Sequence, residues 1–346
     1  MAAVRRKEKF MPTIAVFGAG SIGCYVGGRL AAAGSTVILI GRQYIAGAIA
    51  EQGLALSDYR GYSAHVAPGQ ITVATDATAA AGADLVLVTV KSGGTEAAAR
   101  ALEYSLKSSA VVVSLQNGLH NAPQLQQALA RQTVLAGMVP FNVTQPRPAH
   151  FHQGSEGDIA VERSPLLEPY LPAFAAAGLP LALCDDIAAV QWAKLLLNLN
   201  NAINALSGLP LKTELAQRAY RQVLAAAQRE AIALLQERRQ ALARLTPLPA
   251  HWIPPLLEVP DRLFRLLANR MLAIDPQARS SMQDDLAAGR KTEIDALQGE
   301  ILRLARQQHR EAPVNARLLA LIHAAEQGGR RDWQGEELLN EVLRRG

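Results

Sequence analysis

Residues 13–23, Thr-Ile-Ala-Val-Phe-Gly-Ala-Gly-Ser-Ile-Gly, constrain this chain more than any other stretch. A short apolar run over 13–17 leads straight into Gly18-Ala19-Gly20-Ser21-Ile22-Gly23, and 21–33 then reads as a small-residue helix. A G-x-G-x-x-G pattern is weak by itself; between a strand and a helix it becomes informative. The first glycine permits the tight turn, the second lets a pyrophosphate approach the backbone, and the third lets helix pack on strand. The start of the helix presents free N–H groups and the positive end of its dipole to the phosphates. Gly18, Ala19, Gly20, Ser21, Ile22 and Gly23 are therefore candidate cofactor contacts.

The first half continues in the same style. Apolar runs at 36–40, 83–90, 111–115 and 134–139 alternate with helical stretches, the sign of a parallel sheet with crossover helices. Near-continuous Val, Ile and Leu suit strands covered on both faces. Residues 141–165 are richer in Pro, Gly and polar groups, and 158–161 reads as an antiparallel strand. Near residue 185 the chain changes character. Helical patterns fill 187–206, 213–245, 261–273, 289–308, 314–326 and 333–343, with a turn near Asp275-Pro276. Prolines at 247, 249, 254, 255 and 260 make 247–260 a loop or broken connector. The expected class is α/β: a loose tail over 1–10, a Rossmann-like parallel-sheet domain over 11–184, and an all-helical domain over 185–346.

Composition excludes several classes. Hydrophobic residues at 49% against 19% charged rule out disorder as the main state. The chain has no run of about 18 apolar residues, so no membrane span is expected. Arg5, Arg6, Lys7 and Lys9 superficially resemble the start of a signal peptide, but a strand and a turn follow, with no cleavage site, and Met11 is an alternative start. A cytoplasmic protein is expected. Cys24 and Cys184 are too few for a disulfide framework or a metal site and read as buried free thiols. The net charge of +5 is dispersed among helices, and aromatics are only 5%, so nucleic acid is not an expected partner.

Several side chains stand where chemistry is done. Where an NAD enzyme carries Asp or Glu after the second strand, this chain carries Arg42, suited to a 2′-phosphate, so NADP(H) is the expected cofactor. Lys91 and Asn117 follow the strands 83–90 and 111–115 at the ligand-binding edge, although Asn117-Gly118 is equally a common turn pair. Lys194 and Asn198 lie four apart on one face of an apolar helix, with Asn201 near that face. A lysine there needs an ion-pair partner or an opening to a cleft; burial would lower its pKa toward that of a useful general acid. Glu293, taken alone, reads as part of a solvated helix face.

Together these residues resemble the ketopantoate reductases (2-dehydropantoate 2-reductases). The resemblance runs from about residue 13 to 325 and rests on the GAGSIG turn, Arg42, the VTVKS segment with Lys91, the QNG segment with Asn117, and the pair WAKLLLN and SSMQDDLAAGRKTEID. It implies NADPH-dependent reduction of a branched 2-oxo acid, 2-dehydropantoate to pantoate, on the route to pantothenate and coenzyme A. By the same resemblance Lys194 is the general acid and Glu293 the carboxylate that holds the substrate hydroxyl and orients Lys194. Ser281 bonds the substrate carboxylate, Asn117 and Asn198 line the substrate site, and Arg42, Lys91 and Asn117 contact the cofactor. No metal is implied.

Two departures stand out. The family often has a second Asn eight residues after the lysine; here that place is Ala202, with Asn201 and Asn204 as adjacent candidates to compensate, and Asn201 is taken as a further substrate-site residue. The Pro-rich segment 240–260 is longer than in simple members and is positioned to reshape the substrate mouth. Two other readings stay open: a related NADP-dependent 2-oxo acid or hydroxyacid dehydrogenase with another substrate, and a non-catalytic NADP-binding protein. The apolar helices of the second half would also support a homodimer.

Overall fold

The computed structural model describes residues 12–267 and 277–343. The expected tail over 1–10, the end of the helix expected over 261–273 and the turn at Asp275-Pro276 lie outside the described residues. The chain divides at Ile187–Ala188 into two compact units. No described helix is long and apolar enough to cross a membrane.

The first unit is built on β1 (Thr13–Phe17), β2 (Thr36–Ile40), β3 (Leu54–Asp58), β4 (Ser63–Val66), β5 (Thr72–Ala74), β6 (Leu85–Val88), β7 (Val111–Ser114), β8 (Thr133–Met138), β9 (Val143–Arg147), β10 (His150–Gln153), β11 (Ile159–Glu162) and β12 (Leu181–Cys184). Its helices are α1 (Ser21–Ala32), α2 (Gln43–Gln52), α3 (Thr95–Glu103), α4 (Asn121–Ala128) and α5 (Leu171–Ala176). The main sheet runs β12-β11-β8-β7-β6-β1-β2-β5 and is parallel except where β11 meets β8. The strand expected at 158–161 is thus β11, and it is antiparallel to its neighbour β8. Alternation of side chains across the pleat fills two cores. Ile14, Val16, Leu85, Leu87, Val111 and Val113 face one side, and Ala15, Val86, Val88 and Val112 the other. This is why β6 and β7 are buried along their whole length.

A second, four-stranded sheet, β4-β3-β10-β9, was not anticipated. It packs on α1, which also packs on β1 and β2. Its strands are short, polar and partly exposed, so they carry no apolar run. Arg29 fastens it: the guanidinium lies over the Tyr62 ring, stands 3.6 Å from Asp58, and donates to the Ala177 carbonyl. Of the two cysteines, Cys24 is buried as expected, whereas Cys184 on edge strand β12 is partly exposed.

The second unit is helical: α6 (Ile187–Asn198), α7 (Asn200–Ser207), α8 (Leu211–Leu215), α9 (Arg218–Glu237), α10 (Ile253–Leu257), α11 (Asp261–Leu267), α12 (Ser281–Ala287), α13 (Ile294–Gln307), α14 (Pro313–Glu326) and α15 (Gly335–Leu343). Three expected helices are corrected. The helix over 187–206 breaks at Leu199, where two buried side-chain amides reach carbonyls of the ladder: Gln228 to Leu196 at 3.1 Å and Gln298 to Leu199 at 2.9 Å. The helix over 213–245 is interrupted at 216–217, where extended Gln217 separates α8 from α9, and it ends at Glu237, closed by Arg239 N–H to Gln236 and Gln240 N–H to Leu235, with Arg239 at φ 55°. That is a Schellman closure made without glycine, so the sequence carries no stop signal there. The helix over 289–308 starts only at Ile294, whose N–H is taken by the Thr292 hydroxyl.

Candidate active site

The glycine turn sits at the carboxyl end of β1, between β2 and β6. Gly18 and Ala19 N–H groups both bond the Ile40 carbonyl, at 2.9 and 3.0 Å. Gly18 has φ +117°, and a side chain there would press on the backbone of Thr89 and Val90. A Cβ on Gly23 would come within 2.2 Å of the Gly18 oxygen, so this glycine sets the approach of α1 to the turn. Gly20 differs: a Cβ there would meet nothing within 4 Å. The backbone is open at Gly20, where the second glycine of the pattern must admit a pyrophosphate. Gly20 caps α1 with no side-chain bond, and the first intrahelical donor is Cys24, so the N–H groups of Ser21, Ile22 and Gly23 precede the ladder. The turn therefore fits a dinucleotide.

Arg42 lies one residue past Gly41, caps α2 and is exposed. Gly41 packs against Ala19, with a Cβ position 2.4 Å from the Ala19 Cβ, which brings the start of α2 to the glycine turn. The strand expected over 83–90 ends at Val88, so Lys91 lies exposed three residues past β6, and Asn117 is half-buried after β7. The two loops are joined. The Ser92 hydroxyl donates to the Asn117 carbonyl at 2.8 Å, and the Asn121 amide donates to the same carbonyl at 2.5 Å. Thr95, fully buried, bonds Asn121 and accepts from Gln116, each at 2.7 Å. These four residues, Ser92, Thr95, Gln116 and Asn121, were not singled out from the sequence. Their polarity at the carboxyl edge of a buried sheet was the available signal.

In the second unit Lys194 and Asn198 share a face of α6, and Asn198 ends that helix. Lys194 keeps a partial opening to solvent. The protein packed around it nevertheless pulls its ammonium from the usual lysine value down to about 8. Asn201 is half-buried in the first turn of α7, and its carbonyl accepts from the Ser280 hydroxyl at 3.3 Å. Ser281, exposed, is the first residue of α12, which Ser280 caps by accepting from Gln283 N–H. Glu293, half-buried, is the cap residue of α13. One and a half turns on, Gln298 ties α13 to Leu199, the residue after Asn198. Asn198, Asn201, Ser281 and Glu293 are thus all anchored around the joint between α6 and α7.

Asn204 is not available to compensate for Ala202. It is fully buried, and its amide donates to the Leu209 carbonyl and to Glu214, both at 2.9 Å. Its oxygen accepts from Ser280 N–H at 2.9 Å. The Pro-rich segment packs on α6 and α9, with Ala243 N–H bonded to the Ala189 carbonyl. Together they line a small apolar hollow that includes Ala193, Leu197, Ile232, Leu245, Leu248 and Ile253. Ala193 and Lys194 point roughly 100° apart around the helix, so the segment covers a face beside that of Lys194.

Two family models match the chain: Ketopantoate reductase PanE/ApbA over residues 14–165, and Ketopantoate reductase PanE/ApbA C terminal over residues 186–326. A crystal structure of a PanE/ApbA family ketopantoate reductase from Ralstonia eutropha superimposes with a TM-score of 0.78 at 33% identity, covering 91% of this chain and 99% of its own. The 2-dehydropantoate 2-reductase of Halobacterium salinarum is 28% identical over 332 residues, covering 91% of this chain and 99% of the relative. A D-mandelate dehydrogenase bound to NADH and anilino(oxo)acetate shares the fold, with a TM-score of 0.74 at 19% identity over 91% of this chain and 99% of its own.

Proposed function

This chain belongs to the ketopantoate reductase PanE/ApbA family, and on that premise we propose that it reduces 2-dehydropantoate to pantoate with NADPH. The first unit binds the cofactor and the second supplies the acid and the substrate contacts. Lys194 carries the reading: it is an ammonium on an apolar helix, with its pKa near 8 and Asn198 one turn away.

Bound NADPH supplies the hydride that the carbonyl carbon receives. The residues of the chain do the rest. Gly20 leaves room for the pyrophosphate, and the N–H groups of Ser21, Ile22 and Gly23 offer it donors. Arg42 pairs with the 2′-phosphate, and Lys91 and Asn117 complete the cofactor contacts. Lys194 is protonated below about pH 8 and gives its proton to the carbonyl oxygen as negative charge develops there. Its remaining charge before transfer also steadies that oxygen. Glu293 holds the substrate hydroxyl and orients Lys194, Ser281 bonds the carboxylate, and Asn198 and Asn201 line the site. The same reading carries a cytoplasmic location and a homodimer, the latter tested by molar mass in solution.

The test is NADPH oxidation with 2-dehydropantoate and a panel of other 2-oxo acids, repeated with NADH. Fastest turnover with 2-dehydropantoate and NADPH is the expected result. Turnover confined to a different 2-oxo acid would overturn the substrate, and equal use of NADH would overturn the role of Arg42.

A further inference from the structure

Glu214 lies on α8, outside every motif that led to the site, and is fully buried. A buried carboxyl needs a reason, because desolvation disfavours it unless its oxygens are used. Here one oxygen is used twice. Oε2 accepts from the Asn204 amide at 2.9 Å and from the Asn200 amide at 3.3 Å.

Asn204 is the hub. An asparagine side chain has two donor hydrogens and one acceptor oxygen, and it can flip by half a turn to exchange them. The hydrogens of Asn204 go to the Leu209 carbonyl and to Glu214, and its oxygen therefore faces the N–H of Ser280. A flipped amide would aim a donor at the Ser280 N–H, in a site that is 3% exposed, and Glu214 is one of three groups that oppose that flip. Without it one Asn204 hydrogen is buried with no acceptor there, and only the Leu209 carbonyl and the Ser280 N–H hold the amide. Ser280 in turn starts α12, accepting from Gln283 N–H and donating to the Asn201 carbonyl. Ser281 follows it in the chain and Asn201 lies beneath it.

We propose that Glu214 is a positioning residue: by orienting Asn204 it fixes the Ser280–Ser281 corner that receives the carboxylate of the substrate. This rests on the reductase reading above, since that reading puts Ser281 on the substrate. Burial also pushes the Glu214 carboxyl up to about 8, so at neutral pH it is largely the uncharged acid. Glutamine is the close mimic of that form, with one acceptor and one donor end.

The test is steady-state kinetics of the full-length enzyme with 2-dehydropantoate and NADPH. Glu214→Ala should raise KM for the 2-oxo acid about tenfold, the effect of roughly 1.4 kcal/mol, with kcat and NADPH affinity changed less than about threefold. Glu214→Gln should return KM to within about twofold of wild type, because the acceptor is restored. In a double-mutant cycle, Ser281→Ala should raise KM, and adding Glu214→Ala should raise it little further. A folded Glu214→Ala with unmoved KM, or additive effects in the cycle, overturns the role. Should Glu214→Ala fail to melt cooperatively, Glu214→Asp withdraws the same acceptor by one methylene and should raise KM in the same direction; an unmoved KM there also overturns it. Wild-type turnover of no 2-oxo acid would overturn the reductase reading and this role together, whereas normal wild-type turnover with unmoved variants would overturn this role alone.

Discussion

The side-chain amide of Gln298 donates to the main-chain oxygen of Leu199 across 2.9 Å, and Gln298 is fully buried. This bond joins α13, which Glu293 caps, to the end of α6, which carries Lys194 and Asn198. Two residues nearly a hundred positions apart thereby acquire a fixed common reference.

Gln298→Leu leaves the Leu199 carbonyl buried without this donor. The expected cost is about 1–3 kcal/mol, read as a lower melting temperature, together with a fall in kcat. A variant with wild-type melting and kcat would show that the bond positions nothing.

Lys194→Ala should lower kcat roughly 10²–10⁴-fold, the worth of a general acid, while NADPH still binds. The group must be protonated to act. The wild-type reduction rate should therefore be level below about pH 8 and decline above it. A rate that rises through pH 8 would reverse the assigned role.

Arg42→Ala removes a charge-assisted contact worth about 1.5–3 kcal/mol. NADPH affinity, measured by titration of cofactor fluorescence, should fall about 10- to 100-fold, with NADH affinity nearly constant. Equal losses for both cofactors would separate Arg42 from the 2′-phosphate.

The glycines of the turn should split into two kinds. Gly23→Ala places a methyl 2.2 Å from the Gly18 oxygen and 2.5 Å from the Thr89 hydroxyl, so the melting temperature should drop, by about 1–3 kcal/mol of overpacking. Gly20→Ala meets nothing and sits at φ −87°, a conformation any residue adopts, so the fold should be unaffected. It should instead weaken NADPH binding. Intact binding in Gly20→Ala would move the pyrophosphate elsewhere.

Glu214 holds its proton more tightly folded than unfolded, with a pKa raised from 4.5 to about 8. The stability this confers is complete below about pH 4.5 and is lost as pH rises through about 8. Glu214→Gln has no such dependence. Its melting temperature relative to wild type should therefore climb between pH 5 and pH 8, by roughly 2–4 °C for each kcal/mol. That window avoids Lys194, whose lowered pKa acts between about 8 and 10.5 in the opposite sense. A constant difference across the range would mean that Glu214 is ionised in the fold.

Features that depend on neighbours along the chain are legible in the order of the amino acids. The glycine turn, β1, β2 and the parallel core strands are local patterns of backbone freedom and side-chain alternation, and they lie where those patterns put them. The Lys194–Asn198 pair follows from helical spacing alone. Features that depend on distant partners emerge only when the segments pack together. The small sheet around α1 is held by Arg29 and by strands too short and polar to announce themselves. The break at Leu199 arises where amides from Gln228 and Gln298 meet the ladder. Asn204, which the sequence offered as a substitute for the residue at 202, was claimed by Leu209, Glu214 and Ser280. One requirement underlies each of these cases. A polar side chain in a buried place must satisfy its hydrogen bonds, and which groups do so is settled by packing between segments that the linear chain keeps apart.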